Sequence, residues 1–384
     1  MSAASQDVAA SSAPLQVATP ARLRIGELDA LRGVGALMVM CHHFQDQLAS
    51  DGHPAPWIRV PLAQYAVQTF FLISGYVILM SARRSRTVGE FALTRWARLY
   101  PTFWLCCILT YATIRAFEPS FNDISPGMAA LNLLMVQTPH FRPIDWPYWT
   151  LHQEMWFYLV IASLLLFRRL NLAFWVLAAL VVTSLCTLQF TRWFSLFLIG
   201  MVMFDSRGAF RPCHAWLLAL CAADILRRSV GVPVELLPDS LAHLVARAGD
   251  FLASLGVKPA PPKADANVAG WTYPLFVTVI TAIVWSCTRL RLPWFANPVL
   301  RFFGGISYPL YLLHATIGAI IMHRAINAGA GVNLAWWTAA LSVIALATAV
   351  SFGVEKPVVR WAARRVQASR VRHEPDAARV GRAE

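Results

Sequence analysis

Charge is what this chain has least of: only 14% of its 384 residues are Asp, Glu, Lys or Arg, against 57% hydrophobic, and mean hydropathy is +0.52. An ordinary soluble domain, about a quarter of whose residues are charged, is excluded. Acidic residues are fewer than basic ones, 20 against 33, for a net charge of +13. A basic chain invites a nucleic-acid reading, but the arginines punctuate apolar runs and form no aromatic-interleaved patch on a soluble module. Seven cysteines (Cys41, Cys106, Cys107, Cys186, Cys213, Cys221 and Cys287) show neither metal-ligand nor disulfide-framework spacing, so no metal site is expected. Residues 1–21 lack the basic start, apolar core and cleavage site of a signal peptide. Nor is there an internal repeat of the kind transporters often carry.

What the chain does have is long apolar runs. Ten of them, at about 33–49, 65–82, 99–116, 149–167, 171–189, 193–205, 214–226, 271–288, 304–323 and 334–354, predict an all-α polytopic integral membrane protein. The run 127–137 is too short to span and reads as re-entrant or interfacial. With the N-terminus inside, 23 of the 33 basic residues fall on inner segments, which places both termini in the cytoplasm. The predicted organisation is a disordered arm over residues 1–26, a membrane domain over 27–357 and a basic tail over 358–384. An outer loop at 227–270 carries one amphipathic stretch, LPDSLAHLVARAGDFLASLG.

Ionisable groups inside such runs are costly and mark candidate functional positions. Residues 28–44, LDALRGVGALMVMCHHF, are the clearest case. Arg32 and His43 lie eleven residues apart, so at 100° per residue they share one helix face, about 16 Å apart along the axis. Gly35, Ala36 and Val39 lie between them on a stripe that suits a groove better than lipid. Asp29 is placed to pair with Arg32. Between the second and third runs, Arg95 and Arg98 present two guanidinium groups on one inner-facing surface, a geometry that binds phosphate oxygens and equally serves orientation. In FFLISGY, Ser74 and Gly75 form a small patch where another helix, the first being the natural choice, can approach closely. The fourth run opens WTLHQEMWFYL, with Thr150, Glu154 and Tyr158 on one face. A carboxylate there either pairs with a cation or transfers protons, and His43 is its expected partner because both lie toward the outer side. The ninth run aligns Ser307, Tyr311 and His314, as a polar core network or part of a site.

Together these segments resemble acyltransferase family 3, the membrane-bound O-acyltransferases of bacterial surface polysaccharides and related glycans. The resemblance rests on LDALRG followed by His43, FFLISGY, RWARLYP, WTLHQEMWFYL, ISYPLYLLH and VEKP, in family order over residues 28–357. It implies a ten-helix core in the bacterial inner membrane that takes an acyl group, commonly acetyl, from cytosolic acyl-CoA to a hydroxyl of a glycan or glycolipid. It makes Arg32 and His43 the essential arginine and histidine of the first helix, Arg95 and Arg98 the arginine pair for the donor, and Glu154 the acidic residue of the fourth run. Ala30, His42 and Pro309 depart from the family's usual Gly, aromatic or apolar residue, and Ser. Relatives with an added extracytoplasmic esterase-like domain carry it beyond the membrane core, where this chain is too short for one.

On this reading the donor phosphates rest on Arg95 and Arg98, His43 is the general base or takes up the acyl group transiently, and Glu154 orients His43 or stabilises its protonated form. No cofactor is bound permanently, and a homo-oligomer is left open. Two rivals stand beside it: a secondary transporter or flippase using the same charged groups as a substrate path, and a non-catalytic partner of a polysaccharide synthase.

Overall fold

A computed structural model describes residues 26–118, 124–135, 143–187, 193–230, 239–254, 270–290 and 292–372. Among these every regular element is helical. In chain order the α-helices are α1 (Gly26–Ser50), α2 (Ala66–Arg84), α3 (Val88–Phe117), α4 (Pro126–Asn132), α5 (Trp149–Leu166), α6 (Ala173–Thr187) and α7 (Phe194–Asp205). They continue with α8 (Pro212–Val230), α9 (Asp239–Ser254), α10 (Thr272–Arg289), α11 (Pro298–Asn327), α12 (Val332–Val350) and α13 (Lys356–Arg372).

Each of the ten apolar runs coincides with one of these helices. Three stretches, Ala63–Arg84, Pro298–Asn327 and Val332–Val371, are long and apolar enough to cross a membrane by length and composition. The short run at 127–137 supplies the seven-residue α4, and the amphipathic stretch of the predicted outer loop supplies α9. Residues 227–230 of that loop instead end α8, while 231–238, 255–269, the arm over 1–25 and the tail beyond 372 lie outside the described residues.

The frame is built on α11, whose residues 306–314 are all buried. A helix apolar around its whole circumference belongs at the centre of a bundle. It begins with Asn297, whose side chain accepts from the Leu300 amide at 3.0 Å, and Pro298 occupies the first turn, where its missing N–H costs nothing. Pro309 interrupts it, and a proline cannot donate to the carbonyl four residues back. That carbonyl, Gly305, is satisfied instead by the Ser351 hydroxyl at 2.9 Å, from the π-helical turn Ser351–Glu355 that joins α12 to α13.

The most extensive packing in the molecule is α1 against α11. Gly33 and Gly304 set their crossing: a Cβ on Gly33 would lie 2.6 Å from the Gly304 amide nitrogen, and one on Gly304 would overlap the Asp29 carbonyl. Farther along, Phe44 packs on Gly318, so both helices advance in the same direction. Gly75 of α2 crosses Gly200 of α7 in the same backbone-to-backbone fashion. The small patch in FFLISGY thus receives α7 through Gly75, not α1 as expected, and its Ser74 is left for another contact.

The basic tail begins as a helix. Its first half is α13, packed along α3, with Arg370 donating to Glu90 at 2.6 and 3.0 Å and to the Arg84 carbonyl at 2.9 Å. Glu90 is already held in place at the start of α3, where Thr87 caps the helix through the Glu90 amide and Glu90 reaches back to the Arg86 amide.

Candidate active site

Arg32 sits where α1, α2, α5 and α11 converge. Two chambers meet there, sharing Arg32, Ser74, Glu154 and Tyr308 in their walls. One extends toward Arg95, Arg98, Leu99 and Tyr158 at the arginine-rich end and holds about 370 Å³ of empty space, its mouth included. The other extends toward Phe70, Thr150, Ser307 and Tyr311 and holds about 450 Å³ on the same measure. Of the stripe predicted on α1, Arg32 lines both chambers.

Glu154 is positioned by two neighbours: Ser74 donates to its Oε1 at 2.7 Å and Tyr158, one turn along α5, donates to the same oxygen at 2.6 Å. The carboxylate also lies in the electrostatic field of Arg32, as does Asp29. This corrects the expected pairing of Glu154 with His43. The reason is the depth at which α5 starts. Tyr148 and Thr150, at its beginning, already reach the middle of α11: Tyr148 donates to the Leu312 carbonyl at 3.2 Å, and the Thr150 and Tyr311 hydroxyls are 2.8 Å apart. One turn farther, Glu154 is level with Arg32 and Ser74, well short of His43.

The arginine pair has divided roles. Arg98 forms an ion pair with Glu355, a carboxylate 1% exposed in the π-helical turn, and lies over the Tyr308 ring at 5.9 Å. Arg95 donates to the Ser81 hydroxyl at 3.2 Å and lies 6.0 Å from the Tyr158 ring. Both guanidinium groups border the chamber, but only Arg95 faces it without an ion-pair partner among the described residues. Glu355, in the VEKP segment, is a site residue that the sequence pattern alone did not single out. The signal was there: a carboxylate at the end of the last apolar run needs a buried cation, and arginines were the only abundant ones.

At its far end the passage is closed. Tyr311, Val39 and Ala66 form a small cluster of their own, with Phe70 packed against it 6.0 Å from the Tyr311 ring. Phe70 lies across α1 at Gly35, the small residue in the stripe that leaves room for it. Tyr311 is anchored by donating to the Pro147 carbonyl at 2.9 Å. Behind this wall stands His314, fully buried, with its ring 5.6 Å from Tyr311 and 5.1 Å from His43. His43 is partly buried and has His42 5.2 Å away on its other side. His42, 100° around the helix from His43, instead faces Asp46 at 3.3 Å.

Ser307 donates to the Gly304 carbonyl at 2.9 Å and lines the chamber, while the neighbouring Tyr308 donates to the Leu99 carbonyl at 3.1 Å, tying α11 to α3. No group of His, Cys, Asp and Glu among the described residues is arranged to hold a metal ion. The chemistry available is that of a carboxylate and guanidinium groups lining a passage, with an imidazole pair beyond its inner wall.

Residues 25–356 match a family model described as an acyltransferase domain. The chain is 25% identical over 388 aligned residues to acyltransferase MdmB of Streptomyces mycarofaciens, spanning 90% of this chain and 94% of that one. It is 28% identical over 319 residues to the exopolysaccharide production protein ExoZ of Rhizobium meliloti (strain 1021), spanning 79% of this chain and 92% of that one. A shorter stretch of 86 residues is 40% identical to an O-acetyl transferase of Shigella phage Sf6, covering 22% of this chain and 25% of that protein. No solved structure matches the chain.

Proposed function

The chain belongs to acyltransferase family 3, and from that premise we propose that it carries an acyl group, acetyl in the reading we favour, from acyl-CoA to a hydroxyl of a cell-surface or lipid-linked carbohydrate. The reaction takes place in the bacterial cytoplasmic membrane, with the arginine-rich end toward the cytosol. One observation carries the reading: the chambers lead from Arg95 past Arg32 and Glu154 to a wall with the His43–His314 pair behind it. The relatives named for O-acetyl transfer and exopolysaccharide production support the choice of group and acceptor.

Arg95 and Arg98 receive the donor's phosphate groups, Arg95 directly and Arg98 as a charge fixed by Glu355. Arg32, Glu154, Ser74 and Tyr158 line the channel for the pantetheine arm, with Glu154 a positioning residue for Arg32. The thioester reaches His43 when Phe70 and Tyr311 part. There the neutral imidazole takes the proton of the acceptor hydroxyl as its oxygen attacks the thioester carbonyl carbon. The carbon–sulfur bond breaks, the ester is released, and the CoA thiolate recovers the proton from the imidazolium.

The test is acyl transfer from CoA thioester to carbohydrate acceptor in membranes, with His43→Ala compared at equal abundance. Loss of activity by about 10² to 10⁴, the range a general base contributes, is the expected result. Undiminished activity would overturn the mechanism. Counterflow of substrate in proteoliposomes without any thioester would replace the reading by a transporter.

A further inference from the structure

His314 is a buried titratable group that this mechanism leaves unused, and its hydrogen bonding is lopsided. Its Nδ1 faces two backbone carbonyls, Tyr311 at 2.8 Å and Leu310 at 3.2 Å. Carbonyls only accept, so Nδ1 carries the hydrogen. Nε2 is then a bare lone pair, and it is fully buried with no hydrogen-bond partner among the described residues. A buried acceptor without a donor costs about 1 to 3 kcal/mol and calls for a reason. The nearest ring that can supply a donor is His43, whose centroid lies 5.1 Å away at a tilt of 44°. At that spacing, rotation of the partly buried His43 ring brings nitrogens on the facing edges within hydrogen-bond distance. The titratable groups facing His43 are His42 on its own helix and His314 on α11.

We propose that His314 is a positioning residue for His43: its Nε2 accepts the N–H of the His43 imidazole, fixing which nitrogen of His43 keeps the lone pair that takes the acceptor's proton. The role is the one a carboxylate plays behind a catalytic histidine, filled here by a second imidazole whose tautomer is locked by the backbone of α11. When His43 becomes an imidazolium, that N–H is a stronger donor to the same acceptor, so the contact favours the transition state over the ground state. No proton leaves His43 for His314; the one taken from the acceptor goes on to the CoA thiolate. The helix supplies the lock. The carbonyls of Leu310 and Tyr311, one turn before His314 on the same helix, hold Nδ1–H in place. The inference rests on His43 being the base.

The experiment compares His314→Phe, which keeps a ring but no acceptor, with His314→Gln, whose amide oxygen reaches the position of Nε2. Steady-state kinetics are expressed per molecule of protein in membranes, with His43→Ala measured beside them. His314→Phe is expected to lower kcat about tenfold to a hundredfold with KM for the thioester changed less than twofold, part of the roughly 10² to 10⁴ assigned to the base. His314→Gln is expected to recover most of that loss. Wild-type kcat in His314→Phe would overturn the proposal, and so would His314→Gln as slow per molecule as His314→Phe, since a packing role gains nothing from an acceptor. Full activity in His43→Ala would instead remove the mechanism beneath it, whatever the His314 variants do.

Discussion

Between α6 and α8, Ser184, Asp224 and Arg228 close on one another: Arg228 donates to Asp224 at 3.0 Å, Ser184 donates to the same oxygen at 2.8 Å, and all three are buried. Between α1, α5 and α11, by contrast, Arg32 and Glu154 border two chambers, and Glu154 receives its hydrogen bonds from hydroxyls instead of a guanidinium. Both regions bury charge, and the second borders open chambers. A buried ion pair that consumes its own charges holds helices in register, whereas one kept open by hydroxyl donors and small residues retains charge for a ligand. Burial of ionisable groups therefore selects candidate sites, and the cavity decides among them.

Breaking the closed region should have the largest effect on stability and the least on chemistry. Asp224→Ala leaves Arg228 buried without its carboxylate, at a cost of about 3 to 5 kcal/mol. The expected outcome is a lower melting temperature and lower abundance in membranes, with kcat per surviving molecule unchanged. A fall in kcat at normal stability would erase the distinction between the two regions.

The two arginines at the passage entrance sharpen it on a smaller scale. Arg95→Ala removes a charge that faces the chamber, so KM for the thioester should rise about tenfold to a hundredfold, the equivalent of roughly 1.5 to 3 kcal/mol for a hydrogen bond to a charged group. Arg98→Ala leaves Glu355 buried and unpaired, and its first effect should be on abundance. Binding of labelled CoA to purified protein alongside thermal melts separates the two. Equal KM changes at equal stability would show that the ion pair with Glu355 does not divide their roles.

The smallest effect belongs to α13. Hydrogen bonds from Arg370 hold the Glu90 carboxyl below the usual carboxylate range. With its folded pKa depressed, Glu90 stabilises the docked tail above the ordinary value of about 4, and that contribution fades as pH falls through the folded value. With Arg370 35% exposed, this pair contributes below about 1 kcal/mol, less at high salt. Limited proteolysis of α13 should accelerate modestly between about pH 7 and about pH 3, and Glu90→Gln should reproduce the faster cutting at neutral pH. Cutting that is independent of both would assign the docking of α13 to its apolar contacts.

Much of this architecture was legible in the residues. The apolar runs mark the helices because a helix satisfies its own backbone wherever it is buried. The shared face of Arg32, Gly35 and Val39 follows from helical periodicity alone, as does the common face of Thr150, Glu154 and Tyr158, all three of which line the passage. His42 and His43 could be told apart by their offsets from Arg32. The level of Glu154 could not, because it depends on how deep α5 begins, which Tyr148 and Thr150 fix through contacts with α11.

By itself, then, the sequence determined the helices, the faces they present and the family, since these depend on local spacing and on motifs in order. Only the tertiary structure decided the distant partners: Glu154 with Ser74, Arg98 with Glu355, His43 beside His314. The physical reason lies in the crossings. Partners separated by 80 to 271 positions in the chain meet only once Gly33 and Gly304 let α1 and α11 touch backbone to backbone, and Gly75 and Gly200 do the same for α2 and α7. Helical periodicity fixes an angle around one axis, but the relative height of two helices is set by the few residues at which they touch.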